Sequence, residues 1–374
     1  MKISSVELNN FRNISSLSLT ADDGVNVIYG ENAQGKTNIL EGIWLFTGCK
    51  SFRGAKDSEL IKFNEPFAGL KLNFTDATRE KSAEIKISPQ KKTASMNGVP
   101  LKTTAELIGS FYAVIFSPSH LSLIKDGPSG RRKFIDTAIS QIDNMYAKKL
   151  MYFNHLIQQK NALLKNAVEN PSLLDTLDIW DEKIAFAGAE IISDRIDYIK
   201  KLKSKATDIY NGISGEKEEL SIKYLSNVRY ESEEKNRIAE KYYETMKKNR
   251  PNDLYLKNTT SGPHRDDIEI LINGISARKY GSQGQQKSFL VSLKFAQYEL
   301  MKRNYGFAPL LLLDDVFDKL DMGRISNLLQ MVSGSDFGQI FITDSNKVRM
   351  AGIVDGLTQD RSYFETVAGT FKKI

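Results

Sequence analysis

The stretch "VIYGENAQGKTNILEGIW", Val27 to Trp44, restricts the fold more than any other part of the chain. Gly30, Gly35, Lys36 and Thr37 fit G-x-x-x-x-G-K-[ST]. Such a motif needs a strand, a tight loop and a helix in succession. The run Val25 to Tyr29 supplies the strand, and a helical pattern begins near Lys36. In that setting the backbone N–H groups from Gly30 through Glu31, Asn32, Ala33, Gln34 and Gly35 cradle phosphates at a helix N-terminus. Lys36 then reaches the β- and γ-phosphates of a nucleotide, and Thr37 offers its hydroxyl to Mg²⁺.

A phosphate loop alone leaves kinases, GTPases, helicases and transport ATPases open. Two later segments narrow the choice. In "PLLLLDDVFDKLD", Pro309 to Asp321, a buried apolar strand ends in Asp314, where a carboxylate can hold Mg²⁺. Asp315 follows directly, placed either to orient or deprotonate a water attacking the γ-phosphate or to cap a following helix. In "YGSQGQQKSFLVSLKFAQYELMKR", Ser282, Gly284 and Gln285 stand at the start of a long amphipathic helix, a second anion-binding position.

With 374 residues the chain exceeds what one core usually organises, so more than one lobe is expected. Residues 60 to 116 carry the runs "LIKF", "LKLNF", "AEIKI" and "FYAVIF" between turn residues and read as strands. After "SPSHLSLIKDGPSG", Ser117 to Gly130, the pattern is helical to about Ile209, with Pro171 and Ser172 marking a turn between antiparallel helices. A strand "LSIKYL" and a charged helix, Glu231 to Lys248, follow, and α/β alternation resumes from Leu254. The expected organisation is a discontinuous nucleotide-binding lobe, 1–120 plus 252–374, interrupted by a mainly helical insertion, 121–251.

Lysine and arginine total 52 against 46 acidic residues, a net +6, which permits nucleic-acid contact without demanding it. Arg131, Arg132 and Lys133 oppose a helix dipole and favour a phosphate partner. Arg12 and Arg53 stand between phosphate contacts and surface ion pairs, His264 and Arg265 between a site loop and a structural turn, while Lys200 to Lys205 read as a solvated face. The lone cysteine, Cys49, excludes an intramolecular disulfide and multi-cysteine metal sites and fits a reducing cytoplasm. No run approaches the roughly 18 apolar residues of a membrane span, and the N-terminus lacks a secretory signal. A cytoplasmic protein without a membrane partner is expected.

"GSQGQ" resembles the S-G-G-Q signature of the ABC-type ATPases, and signature, Asp314 strand and the pair Leu320–Asp321 follow in that family's order. The resemblance implies an α/β, ABC-type P-loop ATPase head with an inserted mainly helical lobe. It also implies a homodimer, in which Ser282, Gly284 and Gln285 of one subunit close on ATP held by the other. Lys36, Asp315 and Ser282 are its catalytic candidates, Thr37 and Asp314 its metal ligands.

"NNFRN", "GCKSFRG", "SPSHLSLIKDGPSGRRKFID", "TSGPHRDDIEI" and "YGSQGQQKS" resemble, in order, the RecF family of bacterial recombination mediators, related to Rad50 and the SMC proteins. That resemblance implies an ATP-dependent DNA-binding protein of DNA damage repair, recombination, replication restart and the SOS response. It implies binding at gapped or junction DNA without sequence readout, action with RecO and RecR in loading RecA, and slow ATP hydrolysis. Arg53, Arg131, Arg132 and Lys133 are the candidate DNA contacts. Ser119 and His120 replace acidic residues, Asp318 and Lys319 replace Ser-Glu, and Asp344 follows a strand without the transporter-type switch histidine. A transporter ATPase is disfavoured by the insertion and the absent histidine, and a nuclease-coupled ATPase by the short segment 322–374. A phosphotransferase would leave the signature without a role.

Overall fold

The structure is a computed structural model that describes residues 1–76, 79–167, 169–316, 337–345, 352, 354, 360–367 and 370–374. Its strands are β1 (Lys2–Phe11), β2 (Ile14–Thr20), β3 (Val25–Tyr29), β4 (Ala68–Thr75), β5 (Glu80–Ile87), β6 (Lys92–Met96), β7 (Val99–Pro100), β8 (Ala113–Phe116), β9 (Leu220–Leu225), β10 (Asp267–Ile272), β11 (Ile275–Ser276), β12 (Leu310–Asp314), β13 (Ile340–Asp344), β14 (Arg361–Val367) and β15 (Thr370–Lys373). The helices are α1 (Lys36–Leu45), α2 (Ser122–Lys125), α3 (Pro128–Ile142), α4 (Asn144–Asn166), α5 (Leu177–Ser214), α6 (Lys235–Leu256), α7 (Ala277–Tyr280) and α8 (Gln283–Tyr305). Two compact units result: Met1–Leu121, Asp208–Lys217 and Gln283–Ile374 form the first, and Ser122–Thr207 with Glu218–Ser282 the second.

The first unit holds two sheets. One has the order β2-β1-β4-β5-β6-β7, with antiparallel neighbours. Its strands alternate: in β4, Leu70, Leu72 and Phe74 are buried while Lys71 and Asn73 are half-buried, so one face joins the core and the other stays polar. The run "LIKF" forms no strand, because Leu60 ends a 3₁₀ turn from Asp57 and Ile61 makes a single bridge to Phe11. The second sheet has the order β15-β14-β3-β13-β12-β8, parallel from β14 to β8. β3, β12, β13 and β8 are buried throughout, as strands covered on both faces require. Core residues come from both sheets and from α1, through Ile39, Leu40 and Ile43. The register sets Ile28 beside Thr343 and Thr343 beside Asp314, so the ends of β3, β13 and β12 share one row, with Phe116 beside Leu313 one residue before it.

The second unit is mainly helical with a small sheet, β11-β10-β9. Lys149 pairs with Asp194 and Lys160 with Asp181, partners that descend along α5 as α4 ascends, so these helices are antiparallel about the 3₁₀ turn Pro171–Thr176. The segment 252–282, expected with the first lobe, belongs to this unit instead. Strand β10 pairs with β9 over Asp267–Ile272, and Asp267 takes a bidentate contact from Arg131 of α3 at 2.6 and 2.9 Å. Sequence alternation could not reveal that non-local pairing.

One buried ionic cluster ties α4, α5 and α6 together. Lys160 Nζ lies 2.7 Å from Asp181 Oδ1, an ionic contact off the hydrogen-bonding direction, and donates to Asp253 Oδ2 at 3.1 Å; all three side chains are fully buried. Arg250 Nε donates to the other oxygen of Asp181 at 2.8 Å, and Thr260 satisfies the other oxygen of Asp253. Removing the cation leaves buried carboxylates short of compensation. Lys160→Met should therefore cost about 3–5 kcal/mol, read as a lower urea midpoint at unchanged slope; a midpoint within error of the parent would contradict this account of the cluster.

Candidate functional site

The phosphate loop joins the end of β3 to the start of α1. Gly30 has φ 153°, and a Cβ there would lie 2.5 Å from the carbonyl oxygen of Thr366. Gly35 has φ 98°, with Asn13 Oδ1 only 2.9 Å from where a Cβ would stand. Gly30 requires glycine for conformation and for space, and Gly35 requires it for its positive φ. Ala33 takes the left-handed region at φ 66°. Side chains brace the loop from outside: Asn13 Nδ2 donates to Ala33 O at 2.9 Å and Thr366 Oγ1 to Gln34 O at 3.0 Å.

Lys36, 8% exposed, folds over this loop and donates to the carbonyls of Gly30 at 2.5 Å and Glu31 at 2.7 Å. Burial pushes its ammonium below the usual lysine range, opposed by the carboxylates of Asp315, Asp344 and Asp314. A phosphate would replace two neutral acceptors with charged oxygens, so this cationic loop at a helix start fits a nucleotide polyphosphate.

Beside it, Thr37 Oγ1 donates to Asp314 Oδ1 at 2.7 Å. Thr343 Oγ1 donates to the same oxygen at 2.9 Å, and Ser117 Oγ to Oδ2 at 3.1 Å. Asp314 is 3% exposed and thus fixed at the end of β12 by hydroxyls from the strands on either side. Among the described residues no group of three or more His, Cys, Asp or Glu side chains forms a metal cluster. A hydroxyl and one carboxylate nevertheless suit Mg²⁺, which completes its shell with water and phosphate oxygens. Asp315, half-buried, adopts φ 49° and donates its N–H to Thr343 O at 3.0 Å.

Ser282 is exposed and directly precedes α8, with Gly284 and Gln285 in that helix's first turn. The pair Leu320–Asp321, and Asp318 with Lys319, lie outside the described residues.

The proposed basic DNA contacts divide. Arg131 is only 4% exposed; besides Asp267 it donates to Leu123 O at 3.1 Å and Asp126 O at 2.8 Å, so it is a structural bracket and is withdrawn as a DNA contact. Arg132 donates to Asp266 O at 2.6 Å and is half-buried, whereas Lys133 is exposed. Arg12 is committed to the fully buried Glu41, with two contacts of 3.0 Å. Arg53 keeps 43% of its side chain exposed and bonds Asn38 Oδ1 at 3.0 Å.

Sequence reasoning missed Ser117, Thr343, Asn13, Thr366 and Glu41. Ser117 and Thr343 each stand at the end of an apolar run, the position that faces a site in a parallel sheet, and that signal was present in "FYAVIFS" and "QIFITD".

His264 and Arg265 resolve as a structural turn. Both contact Thr259 O, at 3.1 and 3.3 Å, and the His264 ring lies 5.9 Å from that of Phe153. Desolvation lowers the His264 pKa from 6.5 to about 4, with Arg265 and Arg132 adding to the shift and Thr259 and Asp253 opposing it. The folded state thus favours neutral imidazole. Its contribution is complete above pH 6.5 and is lost as the pH falls towards 4, on the order of 3 kcal/mol in all. His264→Gln should flatten the acid limb of the stability profile in that window; an unchanged limb in urea titrations would refute the assignment.

Comparison with known proteins gives three concordant findings. Residues 2–360 match the family model described as the RecF/RecN/SMC N terminal domain. The DNA replication and repair protein RecF of Lachnoclostridium phytofermentans is 42% identical over 336 residues, 89% of this chain and 91% of that protein, and its counterpart in Ruminiclostridium cellulolyticum is 38% identical over 99% and 98%. A solved structure described as the recombination mediator protein RecF with ATP in the RecFOR pathway superimposes with a TM-score of 0.91, at 38% identity over 100% of this chain and 97% of that one.

Proposed function

The chain belongs to the RecF family of ABC-type ATPase heads, and on that premise we propose that it is an ATP-switched DNA-binding protein of recombinational repair and replication restart. The observation that carries the reading is the buried Lys36 ammonium, held over the loop carbonyls of Gly30 and Glu31 beside the Thr37–Asp314 pair. Lys36 and the loop N–H groups bind the phosphates of ATP, and Thr37 and Asp314 hold Mg²⁺. Asp315 accepts the proton of the attacking water, its short side chain in keeping with slow hydrolysis. The ATP-bound relative supports the nucleotide, and that relative's RecFOR description supports a place beside RecO and RecR, upstream of RecA loading.

Ser282, Gly284 and Gln285 close on the nucleotide of a second copy, giving a homodimer with two sandwiched ATP molecules. Because closure depends on contacts with the γ-phosphate, hydrolysis removes what favours the closed state. DNA is engaged through its phosphates at gapped or junction sites, with strong salt dependence and no sequence readout. Arg53, Arg132 and Lys133 remain the candidate contacts. The proposed setting is the cytoplasm; among the described residues no helix is long and apolar enough to cross a membrane.

Two variants separate the steps. Lys36→Met should weaken ATP binding at least about thirtyfold while leaving the circular dichroism spectrum intact, since a buried charge contact is lost; unchanged ATP affinity would end the site assignment. Ser282→Arg should still bind ATP yet stay monomeric in light scattering with Mg·ATP, and an intact ATP-driven dimer would contradict closure through the signature.

A further inference from the structure

Three side chains outside the phosphate cradle form a continuous hydrogen-bonded path to it. Arg53 Nη1 donates to Asn38 Oδ1 at 3.0 Å; the same amide donates through Nδ2 to Asn13 Oδ1 at 2.7 Å; Asn13 Nδ2 donates to Ala33 O at 2.9 Å. We infer that Asn13 and Asn38 are positioning residues that couple the shape of the phosphate loop to the placement of Arg53, so that loop occupancy is transmitted to this half-exposed cation. The inference rests on the nucleotide reading above.

Each amide in the path is used at both ends, so neither can turn without breaking a bond on its far side. The loop end is sensitive to such a break. Ala33 occupies the left-handed region at φ 66°, which favours glycine, and Asn13 also fills the space against Gly35. Lys36 holds the carbonyls of Gly30 and Glu31, but a bound phosphate competes for that ammonium. The carbonyls of Ala33 and Gln34 are held instead by the neutral donors of Asn13 and Thr366. At the other end, Glu41 is occupied by Arg12 at 3.0 Å and Ser51 at 2.5 Å and stands 3.7 Å from Arg53, so Asn38 provides the closer hold on Arg53.

The test is a double-mutant cycle on binding of a fluorescent ATP analogue to the full chain. Asn13→Ala should weaken binding about fivefold. Asn13 and Arg53 share no contact in this path, yet the double variant Asn13→Ala/Arg53→Ala should bind at least about threefold better than the product of the single effects predicts. Thr366→Val, which removes the separate brace on Gln34, should combine with Arg53→Ala multiplicatively. Multiplicative behaviour in both cycles would overturn the relay, as would equal coupling in both. If Asn13→Ala does not fold, Asn13→Ser takes its place in the cycle. Failure of the parent chain to bind the analogue would instead refute the nucleotide reading.

Discussion

The hydrogen bond from Thr37 Oγ1 to Asp314 Oδ1 joins residues 277 positions apart, and the rest of the first unit is arranged so that it can form. Thr37 comes to its place through β3 and α1, Asp314 through β12, and between those strands lies β13. Parallel pairing demands long crossovers, so the site is assembled from distant chain segments rather than one local motif. The reward is precision: hydroxyls from Ser117 on one flank and Thr343 on the other hold the Asp314 carboxylate in a single orientation.

Burial of charge recurs in both units with different consequences. Lys160 and Arg250 together balance the buried carboxylates of Asp181 and Asp253, and they serve the packing of three helices. Lys36 is buried against neutral carbonyls, with carboxylates nearby, and its lowered basicity registers the cost. An anion entering the loop relieves that cost, which gives the site a physical reason to favour the liganded state. Arg131 shows why basic residues cannot be assigned by composition. At a helix N-terminus it suggested a DNA phosphate, yet its guanidinium is spent on Asp267 and two backbone carbonyls.

Much of the site was legible because phosphate binding imposes local grammar: Val25 to Thr37 had to be strand, loop and helix start, and four leucines before Asp314 had to be a buried strand. The braces were not legible, since Asn13 and Thr366 meet the loop only through tertiary pairing of β1 with β2 and of β14 with β3. The lobe boundary near residue 252 failed for the same reason. The α/β alternation read from Leu254 onward carried no information that β10 pairs with β9, earlier in the chain.

The most direct test is fluorescence anisotropy of a labelled gapped duplex titrated with the protein, with and without Mg·ATP, at low and moderate salt. The account predicts tighter binding with ATP at both salts and loss of that gain in Lys36→Met. DNA affinity indifferent to ATP would contradict it, leaving a nucleotide site whose closure is not what engages DNA.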